Sequence, residues 1–429
     1  AFLPPAAIRA ETFARRRARH PFARHRVTDK PMRPMAIEPD TRGPAPAGPR
    51  PAAGGTDGIP GSAAPAPLAA GARVNLLELD LQDCEALAAR LGHKAFHGRN
   101  LFKWLHKPRV ADFSAMTDLS KALRARLAEV AEVRPPRLLA ETPCADGTRK
   151  WVMALADGQR VETVLIPEER RTTLCVSSQV GCALNCSFCA TARQGFNRNL
   201  TPGEIVGQVW HAARQIGAAP SNVVLMGMGE PLANFEHVVK ATRIMQDDFA
   251  YMVARQRLTL STSGVVPNIY RLREASGVAL AVSLHAPNNP LRDELVPINR
   301  KYPLEELIPA CRAYIADDRR RRVTWEYVML DGINDSLSHA KELIRLLEGT
   351  RSKVNLIPFN PFPGSHFRTS PPERVDAFRQ RLLRSGLVAT TRKTRGDEIS
   401  AACGQLVGRV QDRTRRRSPA AVSLEAWTG

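Results

Sequence analysis

The 429-residue chain has no apolar run long enough to cross a membrane and no secretory apolar core near its start. A membrane-spanning protein and a disulfide-stapled secreted scaffold are both disfavoured. Acidic residues are in short supply: 42 Asp and Glu stand against 62 Lys and Arg, a net charge of +20. Such an excess favours a polyanionic partner, nucleic acid first. Arg-rich ends, among them RTRRR at 413–417, supply part of it, but DDRRRRV at 317–323 lies within the folded part. The dinucleotide fingerprint GxGxxG is missing, since the glycine pattern GMGE at 227–230 does not fit it. An initiating Met is also missing.

Residues 1–72 are rich in Pro, Ala, Gly and Arg and show no hydrophobic periodicity. They are expected to form a disordered extension, because such a segment cannot bury enough apolar surface to fold. Its Arg-rich, acid-poor opening is similar in composition to an organelle transit peptide. The reading preferred is a dispensable extension, with MAIEP at 35–39 as the expected start.

Residues 73–136 read as a helical module. LQDCEALAARLG (81–92) ends at a glycine stop, and SKALRARLAEVAEV (120–133) has apolar residues at helical spacing. Between them, HGRNLFKWLHK (97–107) mixes cations with Phe102 and Trp104. It suits an RNA-binding helix or a core-facing helix with a solvated basic face, and both readings stay open. Residues 137–172 are expected to form a small β linker, with KWVMAL and RVETVLIP around the turn ADGQ.

From 173 to 418, strand and helix patterns alternate. Candidate strands are 173–179, 222–229, 257–264, 278–286, 323–330 and 353–360, with a last strand-like piece at 387–394. Alternation implies a parallel sheet. The expected fold is α/β: a partial (β/α)6 barrel carrying the small N-terminal helical module, with 419–429 as a tail. In such barrels chemistry sits at the C-terminal strand ends. Gly229, Glu230, Ser261, Ser283, His285 and Asn360 all fall there, as does the cysteine-rich stretch after the first strand. Singly, each has an ordinary structural explanation, such as a helix cap or a turn.

Of eight cysteines, Cys182, Cys186 and Cys189 stand in a C-x3-C-x2-C spacing with no fourth ligand close after them. Thiolates suit zinc and iron–sulfur clusters. A closed zinc site needs four protein ligands. A four-iron cluster on three cysteines instead leaves one iron open to a chelating small molecule.

This spacing at the end of the first strand resembles the radical S-adenosylmethionine superfamily. The surrounding stretches narrow the resemblance: TLCVSSQVGCALNCSFCATARQGFNRNL, MGMGEPL, LTLSTSGV, SLHAPN, RDELVPINR, EYVMLDGIND, NLIPFNPFPG and RKTRGDEISAACGQL. Together they resemble the bacterial 23S rRNA adenine carbon-2 methyltransferase family from about residue 75 to about 415. The resemblance implies one [4Fe-4S] cluster on Cys182, Cys186 and Cys189, and two S-adenosylmethionine molecules per turnover. It implies cofactor contacts at Gly229, Glu230, Ser261, Ser283, Leu284, His285 and Asn360. On pattern alone Cys175 reads as a packed strand cysteine and Cys403 as an inert loop thiol. The resemblance makes Cys403 the cysteine that is S-methylated, Cys175 the one that resolves the covalent intermediate, and Glu162 the general base. Cys84, Cys144 and Cys311 match nothing and are expected to be structural.

The chemistry explains the two extra cysteines. Adenine carbon 2 is electron-poor and has no lone pair, so it cannot attack a sulfonium methyl group. In the family's mechanism a methyl group is first placed on the cysteine, activated there as a radical, and added to carbon 2. A base removes the ring proton, and the second cysteine releases the RNA, leaving a disulfide for cellular thiols to reduce. The implied partners are 23S rRNA, tRNA (at the adenine 3′ of the anticodon) and a flavodoxin-type electron donor. A cytoplasmic monomer with no membrane partner is expected. Two rival functions remain at this stage: a carbon-8 methyltransferase of the antibiotic-resistance type, and a non-catalytic RNA-binding protein with a structural metal.

Overall fold

The computed structural model describes residues 73–392 and Leu406. β1 (Val74–Asn75) and β2 (Ala131–Glu132) pair in parallel and bracket three helices: α1 (Leu81–Arg90), α2 (Ala95–His106) and α3 (Lys121–Val130). Asp80 and Asp83 form a reciprocal capping box at the start of α1. Helix α2 buries Gly98, Leu101, Phe102, Leu105 and His106, the spacing of one helical face. Gly98 is required there, because a Cβ would run into the carbonyl of Cys84 on α1. Of the two readings of this helix, Phe102 takes the core-facing one, fully buried, while Arg99 and Lys103 stay exposed. Burying a side chain of that size stabilises by roughly 1.5–3 kcal/mol.

Strands β3 (Arg137–Pro143), β4 (Arg149–Ala154), β5 (Arg160–Glu168) and β6 (Arg171–Cys175) form an antiparallel meander. A hairpin of β7 (Gln179–Gly181) and β8 (Phe196–Asn199) follows, with the short α4 (Ala190–Arg193) in its loop. Then come α5 (Pro202–Ile216), β9 (Asn222–Leu225), α6 (Phe235–Gln246), β10 (Leu258–Thr262), α7 (Val266–Ala275) and β11 (Ala279–Ser283). The chain continues through α8 (Asn289–Leu295), α9 (Leu304–Tyr314), β12 (Val323–Met329), α10 (Leu337–Leu346), β13 (Ser352–Pro358), α11 (Pro372–Arg384) and β14 (Val388–Thr391).

The ten-stranded sheet runs β14-β13-β12-β11-β10-β9-β6-β5-β4-β3. From β6 to β14 every neighbouring pair in it is parallel. The strand-like piece near 387–394 thus joins as one more parallel strand beyond the expected six. The segment expected as a β linker is continuous with the barrel sheet, because β5 pairs with β6 from Val164↔Cys175 to Glu168↔Arg171. The first barrel strand is shorter than expected. It stops at Cys175 because Ser177 turns aside: its amide bonds Gln208 Oε1 at 2.8 Å and its hydroxyl bonds the Glu162 carbonyl at 2.6 Å.

The pairing register divides the sheet into two faces. One carries Leu174, Val223, Leu225, Leu258, Leu260, Leu280, Val282, Val323, Trp325, Tyr327 and Leu356, all buried in the main core. The other carries, in register, Val164, Cys175, Val224 and Thr259, then Ser261, Ala281 and Thr324, then Ser283 and Glu326. This second face is where polar side chains gather.

The helical module is tied to the barrel by buried and half-buried polar contacts. The Trp210 indole donates to the Leu105 carbonyl at 3.0 Å, and Lys240 pairs with Asp83 at 2.5 Å. His106 Nδ1 meets the Tyr251 hydroxyl at 3.3 Å. Burial pulls the His106 imidazole down from its ordinary value to about 3. The folded state therefore keeps it neutral where the unfolded chain binds a proton, and stability falls as pH drops from 6.5 towards 3. His106→Phe should reduce the slope of unfolding free energy by about 1.4 kcal/mol per pH unit between about pH 4 and 6. Urea titrations across that window measure it; an unchanged slope would refute the assignment.

Candidate active site

The β7/β8 hairpin presents the cysteine loop. Cys182 N–H donates to the Gly195 carbonyl at 2.7 Å, closing the loop at its neck. Gly181 (φ 76) and Asn185 (φ 57) take the left-handed conformation, which bends the chain around the three thiols. Ser187 N–H bonds the Leu295 carbonyl at 3.2 Å, so the loop leans on α8. The Thr191 hydroxyl bonds the Leu406 carbonyl at 2.6 Å. Cys182 and Cys186 are buried and Cys189 is half-buried. All three line one cleft. Burial pushes the Cys186 thiol well up, and the neighbouring Cys189 and Cys182 push it further.

Three mutually repelling thiolates are suited to a highly charged metal group. Among the described residues, no three of His, Cys, Asp and Glu converge as they would on a single ion. A four-iron cluster is larger than an ion and its ligands stand further apart. The three thiols of the cysteine loop open onto the one cleft, where such a cluster would be held.

The cleft, about 1270 Å³ including its mouth, is walled by the C-terminal ends of β9 to β13. Gly229, Glu230, Ser261, Ser283, His285 and Asn360 line it together with the cysteines. The expectation that these strand-end residues converge is met. Gly229 has φ 100, and a Cβ there would lie 2.5 Å from Gln179 Cβ. The Gln179 side chain in turn accepts from the Glu230 amide at 2.8 Å. Glu230 spends its carboxylate on two amides, Leu232 at 3.0 Å and Ser263 at 2.8 Å. Burial pushes its carboxyl up to about 6, against the pull of those bonds.

His285 has φ 60 and is buried. Its Nδ1 accepts the Val328 amide at 3.0 Å, so the ring proton sits on Nε2. Burial pulls this imidazole down to about 3, and it stays neutral at pH 7. Phe188 stands edge-on to it at 4.5 Å. Leu284 is the exception among the expected cofactor residues. Its side chain is wholly buried in the main core and does not line the cleft. Only its backbone could serve there, and its amide is taken by the Glu326 carbonyl at 3.0 Å and its carbonyl by Arg292 at 3.2 Å.

Cys175 and Glu162 are not in the cleft wall but share its face of the sheet. Val164 opposes Cys175, and Glu162 lies two residues from Val164 on the same side. That makes Cys175 and Glu162 diagonal neighbours across β5 and β6, roughly 7–8 Å apart. Both are buried. Lys150 Nζ stands 3.5 Å from Glu162 Oε1, with side-chain exposures of 11% and 4%. Cys403 lies outside the described residues.

Three polar residues escaped the sequence reading. Lys150 meets Glu162 only through strand register. Glu326 lines the cleft and takes a 2.8 Å bond from Asn355 Nδ2; burial pushes its carboxyl up, opposed chiefly by Arg392. A lone acid inside the apolar run VTWEYVML was the available signal. Arg292 is wholly buried beneath the strand ends.

Comparison with known proteins accounts for this geometry. Residues 74–133 match the ribosomal RNA large subunit methyltransferase N-terminal domain, and residues 176–347 match the radical SAM superfamily. The dual-specificity RNA methyltransferase RlmN of Alkalilimnicola ehrlichii is 60% identical over 347 residues, covering 80% of this chain and 96% of that protein. The chain belongs to the RlmN family. The RlmN of Halorhodospira halophila is 56% identical over 341 residues, covering 79% of this chain and 95% of that protein. A crystal structure of a radical SAM methyltransferase from Sphaerobacter thermophilus superposes with a TM-score of 0.74 at 47% identity, covering 78% of this chain and 99% of that one. The protein is thus a radical S-adenosylmethionine RNA methyltransferase of the RlmN type, and the family implies a [4Fe-4S] cluster on three cysteines together with S-adenosylmethionine. Among the described residues no helix is long and apolar enough to cross a membrane.

Proposed function

We propose that this enzyme methylates carbon 2 of an adenine in the peptidyl-transferase centre of 23S rRNA and of the adenine 3′ of the tRNA anticodon. The observation that carries the reading is the shared face: the cysteine loop, the polar strand ends, Cys175 and Glu162 all address one side of the sheet. Cys182, Cys186 and Cys189 ligate the cluster. When bound, the cluster and S-adenosylmethionine supply the methyl group and the radical that activates it.

The chain's own residues then have separate tasks. Gly229 leaves room for the cofactor's methionine end, and Glu230 and Ser261 line its path. Ser283, His285 and Asn360 would contact the rest of the cofactor where they line the cleft, with the backbone of Leu284 behind them. His285 offers an Nε2–H whose direction is fixed by the bond at Nδ1. Cys403 carries the methyl group as a thioether. Glu162, held by Lys150, takes the proton from carbon 2. The unpaired electron left by radical addition would return to the cysteine-held redox site. The Cys175 thiolate then attacks the Cys403 sulfur, and an S–S bond forms as the C–S bond to RNA breaks. The electrons of the C–S bond pass to the methylene carbon, which takes up a proton to become the methyl group, and the product leaves. The disulfide is then reduced by cellular thiols.

The 73–136 module and the net positive charge support docking of structured RNA on a monomer in the cytoplasm, with the target adenine drawn out of its stack. A flavodoxin-type protein is the proposed electron donor.

The test is nucleoside mass spectrometry. The cluster is reconstituted anaerobically, and protein-free 23S rRNA, S-adenosylmethionine and reductant are supplied. 2-Methyladenosine should form, and should vanish in Cys403→Ala. Formation of 8-methyladenosine would overturn the choice of carbon and leave the radical chemistry standing. Tightly bound zinc without iron would overturn the whole reading.

A further inference from the structure

Arg292 is fully buried, at 0% exposure. A guanidinium in that position ordinarily has a carboxylate partner. This one has none among the described residues. Its Nε donates to the Leu284 carbonyl at 3.2 Å, and Nη1 to Asn299 Oδ1 at 2.8 Å. Nη2 donates to the Ser263 carbonyl at 2.7 Å and the Ser283 carbonyl at 3.2 Å. All four acceptors are uncharged. They engage all three nitrogens and leave the charge unbalanced. Burial lowers the guanidinium only to about 10, so it is still charged at neutral pH.

What can balance it? The two carbonyls held by Nη2 belong to Ser263 and Ser283, which line the same cleft as Cys182, Cys186 and Cys189. Asp293 is bound by Asn299 Nδ2 at 2.6 Å and makes no direct bond to Arg292. The cysteine loop is the site the fold sets beside it. Independent geometry brings the two together. Ser187 bonds Leu295 one turn along α8 from Arg292, and Cys186 packs in one apolar cluster with Leu291 and Leu295.

We propose that Arg292 is a positioning residue whose buried guanidinium is the counter-charge of the iron–sulfur site at Cys186. It pins the ends of β10 and β11 with its fork, and its charge stabilises the reduced, more negative cluster. Net charge around such a cluster is one of the determinants of its potential. This rests on the reading that Cys182, Cys186 and Cys189 hold the cluster.

The test is an equilibrium redox titration of the reconstituted holoenzyme, without S-adenosylmethionine, followed by the electron paramagnetic resonance of the reduced cluster. Arg292→Gln removes the charge and keeps hydrogen-bonding capacity. Its reduced-to-oxidised ratio at a fixed potential should fall about tenfold, a shift of about 59 mV to more negative values for one electron. Arg292→Lys keeps the charge and loses the fork; its ratio should stay within about threefold of wild type. The proposal is overturned if Arg292→Gln, loaded to the same iron content, titrates like wild type. It is equally overturned if Arg292→Lys shifts as far as Arg292→Gln, since geometry alone would then be at work. Should Arg292→Gln fail to fold, the Lys variant alone decides: a tenfold shift there refutes the role of charge. Failure of the wild-type protein to take up a [4Fe-4S] cluster would instead bring down the underlying reading of the cysteines.

Discussion

Cys186→Ala should strip the protein of its cluster and lower RNA methylation by more than about a thousandfold, some 4 kcal/mol of barrier. The expectation follows from where the thiol sits. Cys186 is buried between Cys182 and Cys189 in a loop fixed by the Gly195 carbonyl at one end and by Leu295 on α8. With only three protein ligands, the loss of one leaves two. Cys84→Ala and Cys311→Ala are the controls. Both cysteines are also fully buried, but each lies in the apolar core away from the loop. They should lose roughly 1 kcal/mol of stability and keep their iron. Iron and sulfide content, with the yield of methyladenosine per enzyme, measures all three. A Cys186→Ala protein with wild-type iron would sink the assignment.

How far the sequence foretold this site depends on what kind of information each part needs. Parallel barrel strands are covered on one face by helices, so they appear as apolar runs, and their polar ends stand out. That is why Ser261, Ser283 and His285 were legible as a set. The β7/β8 hairpin was not, because a strand of three residues, Gln179–Gly181, carries no periodicity to detect. The continuity of the 137–172 strands with the barrel was hidden for another reason. Pairing between β5 and β6 is a long-range choice of register, which local pattern does not encode. The same applies to Lys150 beside Glu162. Arg292 was hidden by its residue type. A charged side chain in RDELVPINR reads as solvated, and only the carbonyls of Ser263, Ser283 and Leu284 folding over it reveal otherwise. Leu284 is a case of its own. Its place in SLHAPN marked it as a cofactor contact, and its side chain belongs to the core, which leaves its backbone for that role. Cys175 could be read either way from sequence; register alone puts it on the working face.

That placement gives the second large effect. Cys175→Ala should bind RNA and form the carbon–carbon bond, then fail to let go. Cys175 is the group proposed to attack the Cys403 sulfur, and the sulfur cannot leave carbon without it. A protein–RNA adduct should accumulate to near one per enzyme under anaerobic turnover. It should survive denaturing electrophoresis and collapse to a small mass increment after nuclease digestion. Release of methylated RNA should drop more than about a hundredfold. Glu162→Gln should stall beside it, since the proton at carbon 2 must go before the adduct can open. The two stalled species differ. The Glu162→Gln adduct still carries the carbon-2 hydrogen, and deuterium at that position is retained; in the Cys175→Ala adduct it is lost. Neither variant should unfold the protein, because Cys175→Ala removes a single sulfur and Glu162→Gln keeps the shape of the side chain. Packing alone predicts a different result. A core cysteine replaced by alanine would lose roughly 1 kcal/mol and go on turning over. Turnover at the wild-type rate in Cys175→Ala, or loss of activity with no adduct, would return Cys175 to the role of a packed strand residue. An adduct would tie the antiparallel edge of the sheet to the chemistry at its parallel centre.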